Sequence, residues 1–143
     1  MRRIALLAIV FMLVSVASYA QNYIGMSKDF IIDQLKSSSD YGKIEFDKLD
    51  DLNIIKYSSK DLRTRKVVFL DNNGNCSKFI IIHNDYDKLK YVKRDMNQNY
   101  VRSDKNTWIQ KGIVDCTWQL DKKQKFFALV VTKSNQSLSM NLK

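Results

Sequence analysis

Two runs rich in β-branched and aromatic residues, Arg65–Leu70 and Ser77–Ile82, flank the pentapeptide Asp71-Asn72-Asn73-Gly74-Asn75. Asn and Gly tolerate the positive φ angles of tight turns, so this segment specifies an antiparallel hairpin. Further strand-like stretches accompany it. Lys43-Ile44-Glu45-Phe46-Asp47 alternates polar and apolar residues, and Leu52–Tyr57 follows an Asp50-Asp51 turn. Ile113–Leu120 carries Val114, Cys116, Trp118 and Leu120 on one face, and after the turn at 121–124 Phe126–Val131 returns as a nearly continuous apolar strand.

Two helices punctuate these strands. Ser27 offers an N-cap, Asp29 suits the positive end of the helix dipole, and Met26 can staple to Ile31, which predicts a helix over 27–37. Asn84 or Asp85 caps a second helix in which Leu89, Val92, Met96 and Tyr100 recur at helical spacing. The expected fold class is therefore α+β, with an antiparallel sheet of four to six strands carrying both helices on one face. The chain has 143 residues and no proline, and it lacks any long Gly/Ser tract, so 21–143 reads as a single domain with a loose C-terminal tail from Lys133. The one internal echo is a helix followed by a hairpin.

The N-terminus specifies an address. Arg2 and Arg3 precede an apolar run from Ile4 to Val16, and Ser18-Tyr19-Ala20 supplies small residues at the −3 and −1 positions of a cleavage site. Residues 1–20 are thus expected to be a signal peptide, leaving Gln21 as the new N-terminus of a periplasmic or secreted protein with no transmembrane segment after cleavage. Export gives Cys76 and Cys116 an oxidising compartment. They can form a disulfide closing a loop of about 40 residues, worth roughly 4 kcal/mol on the chain-entropy account. The alternative is two buried thiols behaving as small hydrophobes.

Charge is divided unevenly. The full chain carries +9, and removal of the leader with its two arginines leaves +7. Residues 21–85 are balanced at ten basic and ten acidic side chains, whereas 86–143 hold twelve basic and five acidic. Lys90, Lys93, Arg94, Arg102 and Lys105 gather around the second helix, Lys122 and Lys123 at the last turn, with Trp108 nearby either as a ligand platform or as a cap on one edge of the core. Such a basic, aromatic-bearing surface suits an anionic envelope component or an acidic protein. Nucleic acid is not expected as a partner, because no nucleic-acid-binding motif is present.

Catalysis finds little support. Cys76 and His83 lie seven residues apart on one strand, which places them on opposite faces and about 24 Å apart. Asp71–Ile82 is no calcium loop, since its glycine stands fourth and Ile82 occupies the place of the bidentate glutamate. Glu45 is the only glutamate and no second carboxylate is tied to it. No catalytic residue, cofactor or metal ligand is therefore assigned. The expected function is a non-catalytic binding module; the alternative is an inhibitor or regulator of an envelope enzyme, with a small hydrolase much less favoured.

Tyr23-Ile24-Gly25-Met26-Ser27-Lys28, followed by Ile31 and Leu35, resembles the helix start of small envelope proteins with the β-lactamase-inhibitor-protein-like fold, which include small outer-membrane-assembly lipoproteins. Val67–Cys76 resembles the hairpins of such domains and of small secreted Bacteroidetes-type proteins of unassigned function. The chain departs from them in lacking a lipid-attachment cysteine and a Leu-Gly-x-Pro after the first helix, and in its long second helix. The resemblance implies an exported interaction domain and transfers no functional residue.

Overall fold

Ser27 opens the first element. In a computed structural model, which describes residues 22–39 and 42–134, its Oγ accepts from the Phe30 amide at 3.4 Å and caps helix α1 (Lys28–Ser37). Ile31 and Leu35, one turn apart, are buried on its inner side. The helix entry is tied to the hairpin: the Lys28 amide donates to the Gly74 carbonyl at 3.0 Å and the Cys76 amide to the Met26 carbonyl at 2.8 Å. The expected signal peptide at 1–20 and residues 135–143 of the tail lie outside the described residues.

Four strands follow: β1 (Lys43–Leu49), β2 (Leu52–Ser58), β3 (Thr64–Leu70) and β4 (Cys76–His83). Asp50 and Asp51, at φ 48° and 65°, make the two-residue turn between β1 and β2, where positive φ at both positions matches the twist of the strands. Asp71 organises the β3–β4 turn, its Oδ1 accepting from the Asn73 and Asn75 amides, each at 2.9 Å. Gly74 supplies φ 78°, which a side chain would strain.

A 3-10 turn (Tyr86–Lys88), capped by the Asp85 carboxylate, leads into helix α2 (Leu89–Asn99). Four more strands follow: β5 (Val101–Asp104), β6 (Thr107–Gln110), β7 (Cys116–Lys122) and β8 (Phe127–Lys133). All eight form one sheet in the order β1-β2-β3-β4-β8-β7-β6-β5, every neighbouring pair antiparallel.

This overturns the expected α+β domain of four to six strands. The described residues form predominantly one eight-stranded antiparallel sheet with two short helices. The unforeseen strands are β5 and β6, four residues each and polar enough to pass for the loop after a helix. Their register partners carry them: Trp108 pairs with Trp118 and Ile109 with Thr117. The chain thus runs twice through a helix and a four-stranded meander. The last strands of the two meanders, β4 and β8, pair antiparallel, so the strand order is symmetric about the middle of the sheet. The helix-and-hairpin echo in the sequence is part of that longer repeat.

The two faces of the sheet differ. Ile55, Val68, Phe79, Val131, Trp118 and Trp108 lie in one register row across six strands, each at most 1% exposed. Ile31 and Leu35 of α1 and Met96 of α2 join this row in a single core. Burying each such aliphatic or aromatic side chain is worth about 1.5–3 kcal/mol, so this face anchors the fold. The opposite face carries Val67, Ile80 and Val130 in the next row, flanked by Phe69, Ile82 and Ala128. No helix among the described residues packs on it, and the core formed with the helices includes none of these six.

Candidate functional site

The β5–β6 turn and the β7–β8 turn project from the same end of the sheet, since Thr107 pairs with Gln119 and the Leu120 amide donates to the Asn106 carbonyl at 2.8 Å. Helix α2 lies over this half, fixed by Trp108, whose Nε1 donates to Asn97 Oδ1 at 2.8 Å, and by Tyr100, which stacks on Trp118 at 5.5 Å. The arrangement gathers Lys93 of α2, Arg102 of β5, Lys105 of the turn and Lys122 of β7 at one corner. Desolvation, reinforced by the fields of Lys122, Arg102 and Lys105, holds the Lys93 amine below the usual lysine range.

Arg102 folds onto its own hairpin, Nε donating to the Asp104 carbonyl and Nη2 to the Lys105 carbonyl, each at 3.1 Å. Its charge is thereby held in place without a carboxylate. The Asp104 carboxylate is turned instead to the Lys105 amide at 2.6 Å. None of the four cations takes part in an ion pair among the described residues. The corner is a cluster of like charges that a multivalent anion would relieve.

The other residues expected at this surface divide. Lys90 is exposed on α2, and Arg94 lies over the exposed ring of Tyr91 at 5.4 Å. Lys123 is paired with Asp121 at 3.3 Å. Trp108 is a correction: it is 0% exposed, because β6 directs its ring into the core row, so it is no ligand platform. Tyr91 is the aromatic residue that the basic surface presents, at 60% exposed. Lys105, in the sequence cluster, takes a place among the four.

Cys76 and Cys116 are free and buried. They flank β8, since Cys116 pairs with Lys133 while Cys76 continues the register from Lys78 and Thr132. Two strand spacings separate them, roughly 9.6 Å between Cα atoms, against the ~7 Å limit for a bridge. Burial pushes the Cys76 thiol up to about 12, which makes it a poor nucleophile. Asn22 Nδ2 donates to Cys116 Sγ at 3.0 Å. The expectation that Cys76 and His83 sit on opposite faces is also corrected. A bulge opposite Phe69 and Leu70 adds a residue to β4, so Cys76 joins Phe79 on the helix face. The length of the strand still separates the two groups.

His83 stacks on Phe127 at 4.7 Å. Burial, with help from Lys88 and Lys66 and against Asp85, pulls its pKa down to about 4. The folded value lies below the unfolded value of about 6.5, so the unfolded state binds more protons between them. The His83 contribution is complete above pH 6.5 and is lost as pH falls toward 4. The melting temperature should therefore drop across that interval, and His83→Phe should flatten that part of the profile, measured by thermal denaturation at fixed ionic strength. An equally steep profile in the variant would assign the slope to other groups.

Lys66 is a feature that sequence reasoning missed. It points inward from β3, its Nζ donating to Tyr23 Oη at 3.2 Å and lying 5.3 Å from the Tyr23 ring and 5.8 Å from that of Tyr57. Burial lowers its proton affinity and lifts the Tyr23 phenol to about 12. Aromatic faces stand here where a carboxylate would ordinarily be. A cavity of about 170 Å³ near the start of α1 is lined by Lys28, Phe46, Ile54 and Leu70 among others, too small for a typical organic ligand. Among the described residues no group of three or more His, Cys, Asp or Glu side chains is placed to hold a metal, and no helix is long and apolar enough to cross a membrane. Comparison with protein-family models, with curated proteins and with solved structures finds no match.

Proposed function

We propose that this protein is an exported, non-catalytic binding module that holds an anionic envelope component or an acidic protein at the corner formed by Lys93, Arg102, Lys105 and Lys122. The observation that carries the reading is the convergence of four cations from α2, β5, the β5–β6 turn and β7 with no ion-paired carboxylate among the described residues. Like charges held together cost free energy in the unbound state, and an incoming polyanion recovers it. Export is supported by the basic, apolar and small-residue segments of 1–20. A signal peptide also fits a recognition protein with few reactive side chains.

The test is retention on immobilised poly-L-glutamate. The intact protein should be retained at low salt and released as ionic strength rises. Lys93→Ser, Arg102→Ser and Lys105→Ser combined should weaken retention about tenfold or more at 50 mM salt, with little change in melting temperature, because Arg102 and Lys105 are exposed, Lys93 is only partly buried and none of the three is in an ion pair among the described residues. Equal retention of the variant would remove the corner as the binding site.

A further inference from the structure

The second face of the sheet poses a problem of its own. Strands covered on one side alternate apolar and polar residues, yet β4 (Cys-Ser-Lys-Phe-Ile-Ile-Ile-His) and β8 (Phe-Ala-Leu-Val-Val-Thr-Lys) are nearly continuous apolar runs, as expected of strands covered on both sides. The helices cover only the face of Phe79, Ile81, Leu129 and Val131. Val67, Ile80 and Val130 are left as a central row on the other, each half-buried beside the buried Ile54 and Ala128, and no helix among the described residues joins them in a core.

Charge on this face is arranged around that row. The carboxylates there are matched: Glu45 pairs with Lys43 at 2.6 Å, Asp47 with Lys56 at 2.5 Å, and Asp121 with Lys123 at 3.3 Å. Arg65 and Lys78 have no such partner among the described residues, and Lys78 rests over the Phe69 ring at 5.1 Å. Arg65 pairs in register with Ile82, and Lys78 with Phe69. The two cations therefore flank the apolar row on its two long sides, four residues or about 14 Å apart along β4.

From this pattern we infer that this face, which no helix among the described residues covers, is a docking surface for a protein partner that presents an apolar ridge flanked on two sides by carboxylates. Apolar side chains at the centre with charge at the rim are the anatomy of a protein interface. A second copy of this chain is the poorer fit, since a face-to-face pair would add the unneutralised Arg65 and Lys78 of one copy to those of the other. The surface lies on the opposite side of the sheet from the helices and does not depend on the cationic corner.

The probe is a library of random peptides displayed on phage and selected on the purified protein. Enriched peptides should combine aliphatic or aromatic residues with Asp or Glu on both sides. A synthetic peptide of that kind should bind at least about tenfold more weakly to Arg65→Glu/Lys78→Glu, and exchange of its acidic residues for lysine should restore binding to that variant. Ile80→Thr, which keeps β propensity, should weaken the same peptide while the Lys93/Arg102/Lys105 triple variant leaves it unchanged. Four outcomes overturn the inference: no enrichment; binding indifferent to the charge reversal; a dimer in sedimentation that Ile80→Thr disperses; or adhesion to anionic vesicles without affinity for any peptide.

Discussion

Replacing Trp118 by alanine should destabilise the protein by about 3–5 kcal/mol, a large part of the 5–15 kcal/mol that holds a domain of this size together. The side chain is 1% exposed and sits where both halves of the molecule meet. Phe79 of β4 meets its ring edge-on at 5.7 Å, and Tyr100 at the end of α2 stacks on it at 5.5 Å. Its Nε1 also donates to Gln110 Oε1 at 2.9 Å. Alanine would remove the ring contacts, leave a cavity in the central row and strand the Gln110 acceptor. The melting temperature should fall by roughly 10–20 °C. Trp118→Phe, which keeps a ring but not the donor, should lose less than half as much in urea denaturation. A loss below about 1 kcal/mol in the alanine variant would mean that the two halves do not share this core.

Gly42→Ala should cost about 3 kcal/mol although no large side chain is involved. A Cβ there would stand 2.8 Å from the Ser59 carbonyl carbon and 2.9 Å from the Lys60 amide nitrogen. Both are backbone atoms at the end of β2, where no rotamer change can make room. That backbone is itself fixed: the buried Ser59 hydroxyl donates to the Asp61 carboxylate at 2.7 Å and accepts from the Thr64 amide at 3.1 Å. Gly74→Ala is the informative comparison. A Cβ at Gly74 meets open space, so its cost is confined to the strain of φ 78°, about 1 kcal/mol. Equilibrium unfolding of the two variants should rank them in that order, and the reverse ranking would contradict the close approach at Gly42.

Turn chemistry made much of the first half legible. Asp50-Asp51, the Asp71–Asn75 loop and the Ser27 cap are local signals, each satisfied within a few residues, and tertiary packing had only to agree with them. What escaped was set by pairing between strands rather than by the residues of any one strand. Val101-Arg102-Ser103-Asp104 has one apolar residue and is fully exposed, and only pairing with β6 at the sheet edge makes it a strand. Trp108, beside lysines, reads in sequence as a ligand platform or as a cap on the core edge, and the pairing of β6 with β7 decides for burial. The bulge that turns Cys76 inward depends on how β3 and β4 come into register, which a count of residues along one strand does not reveal.

The candidate site followed the same division. Excess positive charge after residue 85 is a matter of composition and could be read directly. Which lysines and arginines meet was decided by the fold. Lys93, Arg102, Lys105 and Lys122 converge because the α2 side of the sheet and two hairpin turns share a corner, while Lys123 is drawn off by Asp121 and Arg94 by Tyr91. The inward lysine at 66 gives no signal in its strand, where its alternation with Val67 reads as solvent exposure.

Backbone amide shifts recorded while poly-L-glutamate is added at low salt offer the most direct trial of recognition at the cationic corner. The largest movements should fall on Lys93, Arg102, Lys105 and Lys122 and on the two adjoining turns, and should fade as salt is raised. Movements centred on the α1 end of the sheet, or none at any salt concentration, would contradict it.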